Sequence, residues 1–164
     1  MTKSLHRLAI AGAVLFILAV AANAIWQFEK TLKTGLLVTI ELAPVDPRSI
    51  MQGDYMALAF AIDRVLTDDA THYKYAWLNI DADQLTSLHS LSNNLTAEPN
   101  VIAVLLRQHN GRPSIGPNGF FFAEGTGAIY EQARYGQFRI DAHGKALLVS
   151  LLDENMQLLA GNKR

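Results

Sequence analysis

The chain has 164 residues, enough for one domain with little to spare. Its formal net charge is −1 and its pI is about 6.5, so it has no basic field that would hold a nucleic acid. It contains no cysteine, which excludes disulfides, thiol nucleophiles and cysteine-ligated metals.

The first segment of the chain predicts a membrane anchor. An apolar run without charged residues extends from Leu8 to Ile25 and would span about 27 Å as a helix, close to the hydrocarbon thickness of a bilayer. Trp26 follows at the position of an interfacial aromatic residue. Lys3 and Arg7 precede the run and predict a cytoplasmic N-terminus. We therefore expect a single-pass protein of the bacterial inner membrane, with its C-terminal part periplasmic or extracellular.

A cleaved signal peptide is the alternative interpretation of this segment. Ala22-Asn23-Ala24 matches the small-residue pattern of a cleavage site. The apolar run is longer than the usual core of a signal peptide, which has about 7–15 residues, and this favours a retained anchor. We expect residues 1–34 to form the anchor helix, ending near Gly35, and residues 35–164 to form an extracytoplasmic domain.

Most of the remaining chain has strand patterns. Residues 36–43 are rich in β-branched side chains, and residues 54–65 alternate with period 2. The larger side chains of the second strand share one face, and they are Met56, Leu58, Phe60 and Ile62. Pro44 and Pro47 predict a loop between the two strands. Further strands are predicted at residues 73–81, 101–108 and 119–125.

Two hairpins and a few helical turns complete the prediction. Asn110-Gly111 is a strong signal for a tight hairpin, and residues 135–153 read as a second hairpin. A short helix is expected from near Asp81 or Asp83, with a polar loop after it, and one or two helical turns are expected within residues 126–134. The end of the chain is expected to fray. The predicted class is mainly β, with a single N-terminal transmembrane helix followed by an antiparallel β sandwich or open barrel with one or two short helices.

Charged and tyrosine residues flank several of the predicted strands. The candidate functional or structural cluster contains Asp46, Arg48, Asp54, Tyr55, Glu124, Arg134, Tyr135 and Arg139. Carboxylates next to apolar strands tend to be paired, because an unpaired buried charge is costly. The favoured interpretation is an Asp–Arg network that holds loops in place. The alternative is a carboxylate pair for hydrolysis, formed by Asp54 and Glu124.

Other catalytic patterns in the sequence are weak. Ser49, in a loop before Gly53-Asp54, resembles the nucleophile of the Ser/Lys signal peptidases, with Lys74 as the base. The Ser-Met pair of that family is missing, and the distance from Ser49 to Gly53 is too short. The five histidines have no metal-ligand spacing, so we expect neither a metal nor another cofactor.

The segment GDYMALAF at residues 53–60 resembles the motif of the bacterial GDYxxLxY proteins. Gly53, Asp54, Tyr55 and Leu58 match, and Phe60 replaces the final tyrosine. The segments at 46–49, 120–125, 133–139 and 144–154 also look like this family, so the resemblance covers roughly residues 36–159. It implies an N-terminal anchor, an extracytoplasmic β domain and genes near those of multi-pass membrane proteins, and it supplies no catalytic residues.

The leading hypothesis is therefore a non-enzymatic accessory protein that binds an integral-membrane partner. Its interface could use aromatic side chains, although core packing is favoured for most of them; they are Tyr73, Tyr75, Trp77, Phe120, Phe121 and Phe122. An envelope hydrolase is one alternative. A module that binds a small ligand is another, and it predicts a cavity beside the small face formed by Ala57, Ala59 and Ala61.

Overall fold

The structure is a computed structural model, described here for residues 2–43, 55–96, 99–109, 111–122 and 126–161. Helix α1 (Thr2–Thr34) is followed, after Gly35 alone, by a β domain. Within these ranges one helical segment, His6–Thr34, is long and apolar enough to cross a membrane, and its most apolar part is not buried against the domain. This agrees with the predicted anchor helix.

The β domain contains short strands joined mainly by tight turns. In chain order they are β1 (Leu36–Glu41), β2 (Tyr55–Ala57), β3 (Tyr75–Ile80), β4 (Thr86–Ser92), β5 (Val101–Leu105), β6 (Arg107–His109), β7 (Arg112–Ser114), β8 (Gly119–Phe121), β9 (Tyr135–Ile140), β10 (Ala146–Leu152) and β11 (Leu158–Gly161). Two 3-10 turns, Ile62–Arg64 and Asp68–His72, and one short helix, α2 (Gly127–Tyr130), complete the described elements.

All pairs of these strands are antiparallel. The largest sheet has the order β1-β9-β10-β11, a second has the order β4-β3-β5, and β2-β8 and β6-β7 form two-stranded ribbons. A bridge between Thr39 and Leu85 connects the two larger sheets. The architecture is an antiparallel domain with a half-barrel sheet and few helices, which confirms the predicted fold class.

The hydrophobic core lies between the sheets. Strand β9 contributes to this core with every second residue. Gly136, Phe138 and Ile140 are buried, and the residues between them are half-buried. The largest fully buried side chains are Phe60, Phe138, Ile40, Leu78, Ile115, Ile140, Leu151, Val38 and Val104. The rings of Phe60 and Phe138 meet edge to face at a centroid distance of 5.7 Å, a favourable arrangement for an aromatic pair.

The strand predicted for residues 54–65 is much shorter in the structure, although its buried face is as predicted. Regular pairing ends at Ala57, because the following backbone groups bond to different parts of the fold. The N–H of Leu58 donates to the carbonyl of Asn118, whereas the carbonyl of Ala59 accepts from the N–H of Ala43. The chain thus leaves the segment next to β8, pairs with the segment after β1 and then enters a 3-10 turn. Residues 56, 58, 60 and 62 are all buried.

The short helix predicted near Asp81 is wrong, since this region forms a turn and then strand β4. Asp81 Oδ1 accepts the backbone N–H groups of Asp83 and Leu85, which reverses the chain and starts β4 opposite β3. Strand β4 is rich in serine and half-exposed, so its sequence lacks the apolar alternation that identifies a strand. Near the end of the chain, where fraying is predicted, β11 pairs with β10 up to Gly161.

Candidate functional site

Five of the residues selected from the sequence lie outside the described residues. They are Asp46, Arg48, Ser49, Asp54 and Glu124. The carboxylate pair and the serine of the proposed dyad therefore stay predictions. Lys74 is described: it is exposed, and its ammonium lies 5.3 Å from the centroid of the Tyr75 ring. A general-base lysine needs an apolar, desolvated site, so this position does not favour the dyad.

The remaining members of the cluster lie on β2, on β9 and directly before β9. Tyr55 pairs through its backbone with Phe121. Arg134 directly precedes β9, and Tyr135 begins it. Arg139 lies near the other end of β9, about 17 Å from Arg134 by the rise of a strand, and donates to the carbonyl of Gly35 at 2.9 Å. The two arginines thus belong to different parts of the domain.

Most of the aromatic residues considered for an interface pack inside the domain. Tyr75 and Trp77 are buried with Ala103 in a small cluster of their own. Phe120 and Phe122 both pack against Tyr130, with centroid distances of 5.2 and 5.0 Å. Phe121 is 78% exposed and Tyr73 is 41% exposed.

A cavity of about 570 Å³ lies beside the chain segment that carries the motif. We call it the motif cavity; its lining residues are Ala43, Leu58, Ala59, Phe60, Asp63, Arg64, His109, Arg112, Pro113, Ser114 and Asn118. Leu58 and Phe60 are the last two defined positions of the motif, and both border the cavity, although only 9% and 0% of their surface is exposed. Another wall of the cavity comes from the β6–β7 hairpin.

Asp63 is the half-buried carboxylate of the motif cavity. Its Oδ2 accepts the hydroxyl of Ser114 at 2.6 Å, and its Oδ1 accepts the backbone N–H of Ile115 at 3.0 Å. These bonds connect the 3-10 turn after the motif to the end of β7. Burial raises the pKa of Asp63 above its ordinary value of 3.8, and the two hydrogen bonds oppose that rise only in part.

The hydrogen bond between Asp63 and Ser114 has a structural role, because it connects two segments of the fold. Ser114, His109 and Asp63 line one cavity, but the Ser114 hydroxyl donates its hydrogen bond directly to the carboxylate, whereas a catalytic triad places the imidazole between the two. The sequence analysis did not select Asp63. The available signal was a single carboxylate within the apolar run from Met56 to Leu66.

We expect Asp63→Asn to change how stability depends on pH. The folded state raises the pKa of Asp63, so the folded protein binds the Asp63 proton more tightly than the unfolded chain does. The stabilisation that results is complete below pH 3.8 and is lost as pH rises through the folded pKa. Melting curves from about pH 3 to about pH 7 should show the wild type losing stability relative to the variant as pH rises. The nearby Arg64, His109 and Arg112 are the same in both proteins. If the difference in stability between the two proteins stays constant over this pH range, Asp63 does not have a raised pKa in the folded state.

The family model named GDYXXLXY protein matches residues 17–151 of the chain. This match covers most of the sequence, including the second half of α1 and the motif. The chain belongs to the GDYXXLXY protein family. No curated protein and no solved structure matches it.

In this GDYXXLXY protein the anchor helix is joined directly to the domain. Thr31, which is 3% exposed, has its hydroxyl 3.2 Å from Asp141 Oδ2 and 3.1 Å from the carbonyl of Gln27. The ammonium of Lys145 lies 3.8 Å from the centroid of the Phe28 ring. Asp141 also accepts two backbone N–H groups of the β9–β10 turn through Oδ1. The last turns of α1 are therefore held by the turn that connects β9 to β10.

Gly35 allows this close junction. A Cβ added there would lie 2.5 Å from the carbonyl oxygen of Thr31 and 3.1 Å from that of Ile140. Both are backbone atoms, which cannot move aside as a flexible side chain would. The glycine thus lets the helix end and β1 begin within one residue, so no linker separates the anchor from the domain.

Proposed function

We propose that this GDYXXLXY protein is a non-enzymatic accessory protein of the cytoplasmic membrane, which holds its β domain on the outer surface next to an integral-membrane partner. The observation that carries the proposal is the junction between α1 and the domain, where Gly35 alone separates helix and sheet and Thr31, Asp141 and Arg139 connect them. A domain attached in this way has a fixed orientation relative to α1, which limits its freedom to turn away from a neighbour in the membrane.

The junction would place part of the domain at the lipid headgroups. Phe28 lies about 3 Å of helix rise beyond Trp26, and the headgroup layer on each side of a bilayer is about 5–7 Å thick. Because Lys145 contacts Phe28, the β9–β10 turn would lie at this level. Such a position leaves little freedom for the domain to tilt away from the membrane.

A cleft beside the C-terminal end of α1 offers a surface for the partner. It measures about 380 Å³ and is lined by Thr34, Leu36, Trp77, Leu95, Val101, Ile102, Ala103, Ile140, Asp141 and Ala142. Leu36 is 51% exposed and Leu95 is 42% exposed. Exposed apolar side chains next to a membrane helix are suited to contact a second membrane protein, whose own chain would leave the bilayer at the same height.

Purification at native expression level tests the proposal. The full chain extracted in mild detergent should elute in a complex with one multi-pass membrane protein. Elution of the chain as a detergent-bound monomer, with no membrane protein in stoichiometric amount, would contradict the accessory role.

A further inference from the structure

The outer edge of strand β5 borders the cleft beside the C-terminal end of α1. In an antiparallel edge strand, the backbone groups of successive residues point alternately towards the neighbouring strand and away from it. The N–H of Leu105 donates to the carbonyl of Gly144 in the β9–β10 turn at 2.8 Å, so Leu105 points away from β3. By the same alternation Val101 and Ala103 also point away from β3, and both line the cleft.

This part of the β5 edge is open. Among the residues that the structure describes, none forms a hydrogen bond with the outward N–H and C=O groups of Val101 and Ala103. Gly144 covers one end of the edge, since a Cβ added there would lie 3.1 Å from the carbonyl oxygen of Ala103 and 3.1 Å from the nitrogen of Leu105. Val101 is half-buried and Ala103 is 6% exposed, so the accessible part of the edge centres on Val101. A strand edge with unpaired backbone groups can pair with another extended chain.

The surface around this edge is apolar and carries little charge. Leu36 and Leu95 line the cleft and are both exposed. Asp141 is the one ionisable residue of the lining, and its carboxylate accepts the hydroxyl of Thr31 and two backbone N–H groups. An occupant of this cleft thus needs a backbone donor and acceptor together with an apolar side chain. An extended polypeptide has these groups, whereas a lipid acyl chain has no donor or acceptor.

The height of the cleft above the membrane indicates where this polypeptide comes from. Thr34, which lines the cleft, is eight residues beyond Trp26, a distance of about 12 Å along a helix. An extended chain covers this distance in about four residues. A membrane-spanning segment of the partner that ends beside α1 therefore reaches the β5 edge with its first residues outside the bilayer.

We propose that these first extended residues of the integral-membrane partner add to the edge of β5 at Val101 and place an apolar side chain against Leu36 and Leu95. One residue of the partner exchanges two backbone hydrogen bonds with Val101, as in a regular antiparallel pair. The backbone bonds supply affinity, and the apolar contacts select the sequence of the segment. This inference rests on the proposed accessory role and names the part of the partner that is bound.

Amide hydrogen exchange tests the added strand. The full chain is measured alone in detergent and in the complex that co-purifies from membranes, with exchange resolved to single residues. We expect the Val101 amide to exchange at least about tenfold more slowly in the complex, because a carbonyl of the partner accepts its N–H. The amides of Ile102 and Val104 are the internal controls, since they point towards β3 and should be protected equally in both samples.

A matched pair of variants tests the apolar contact. Leu36 and Leu158 begin the two outer strands of the same sheet and are 51% and 55% exposed, but of the two only Leu36 lines the cleft. Leu36→Gln should release the partner from the immobilised chain about tenfold faster than the wild type, because it removes apolar surface from the contact. Leu158→Gln should stay within about twofold of the wild type.

The results distinguish this inference from the accessory role. If no membrane protein co-purifies, both are overturned. If a complex forms but Val101 exchanges equally fast in both samples, or if the two leucine variants release the partner equally fast, the added strand is overturned and the accessory role stands. If Val101 exchanges as slowly as Ile102 in the chain alone, the edge is already paired within the protein, and this also overturns the inference.

Discussion

Replacement of Phe60 by alanine is expected to reduce the free energy of unfolding by about 3–5 kcal/mol, a large part of the total stability of a domain of this size. The Phe60 side chain is fully buried, packs edge to face against Phe138 and lies against Gly116. A Cβ on Gly116 would lie 2.4 Å from two carbons of the ring, which shows how closely the backbone approaches it. Removal of the ring would leave a cavity that this rigid surrounding cannot fill.

The variant Phe60→Tyr separates the ring from the hydroxyl. It restores the tyrosine of the family motif and keeps the ring, and the new hydroxyl would extend from Cζ, one of the two ring carbons closest to Gly116. We expect a loss of about 1–3 kcal/mol, the range for adding atoms to a well-packed core, and a smaller loss than that of Phe60→Ala. Denaturation of the full chain in detergent can be followed by the fluorescence of Trp77, which is buried in the domain.

A surface variant serves as the control for both substitutions. Leu158 on β11 is 55% exposed, and Leu158→Ala should change stability by about 0.5 kcal/mol or less. If Phe60→Tyr is as destabilising as Phe60→Ala, the aromatic position of the motif depends on the absence of a hydroxyl in this chain. The assignment of Phe60 as a core ring is contradicted if Phe60→Ala costs no more stability than Leu158→Ala.

Single cysteines should report opposite sides of the membrane for the two ends of α1. The chain contains no cysteine, so one substitution introduces one reactive thiol. Ser90 is an exposed residue of β4, and Thr2 is the first residue of α1. A membrane-impermeant maleimide should label Ser90→Cys in right-side-out vesicles, because the proposed orientation places the domain outside. It should label Thr2→Cys only after permeabilisation, because Lys3 and Arg7 favour a cytoplasmic N-terminus.

The labelling also distinguishes an anchor from a cleaved signal peptide. A retained anchor leaves Thr2→Cys in the same polypeptide as the domain, so labelled protein has the full length of the chain. Labelling of Thr2→Cys without permeabilisation would contradict the orientation. Loss of the Thr2→Cys label, together with a shorter domain in the soluble fraction, would contradict the anchor.

The sequence predicts those parts of this fold that depend on apolar periodicity. The uncharged run from Leu8 to Ile25 predicted α1, and the alternation around Phe60 predicted which side chains are buried. The hairpin over residues 135–153 followed from the same pattern. Strand β4 was missed because it is a polar, half-exposed strand, held by pairing with β3 rather than by burial of its own side chains.

The candidate site was harder to predict, because it depends on contacts between distant segments. Asp63 and Ser114 are separated by 51 positions, and no local pattern relates them. The junction depends in the same way on Thr31 and Asp141, which are 110 positions apart. Arg134 and Arg139 belong to one candidate cluster in the sequence analysis, and the structure places one directly before β9 and the other near its far end.

The accessory role is tested most directly by photo-crosslinking in living cells at native expression level. A photoreactive residue replaces either Phe16 in the middle of α1 or Leu95 at the cleft beside the C-terminal end of α1. Ile129 is the control position, because it is exposed on α2, which packs against β2 and β11. We predict that the Phe16 and Leu95 positions form a crosslink to the same multi-pass membrane protein and that the Ile129 position does not. Crosslinks from Phe16 to lipid alone, together with no protein adduct from Leu95, would contradict the account.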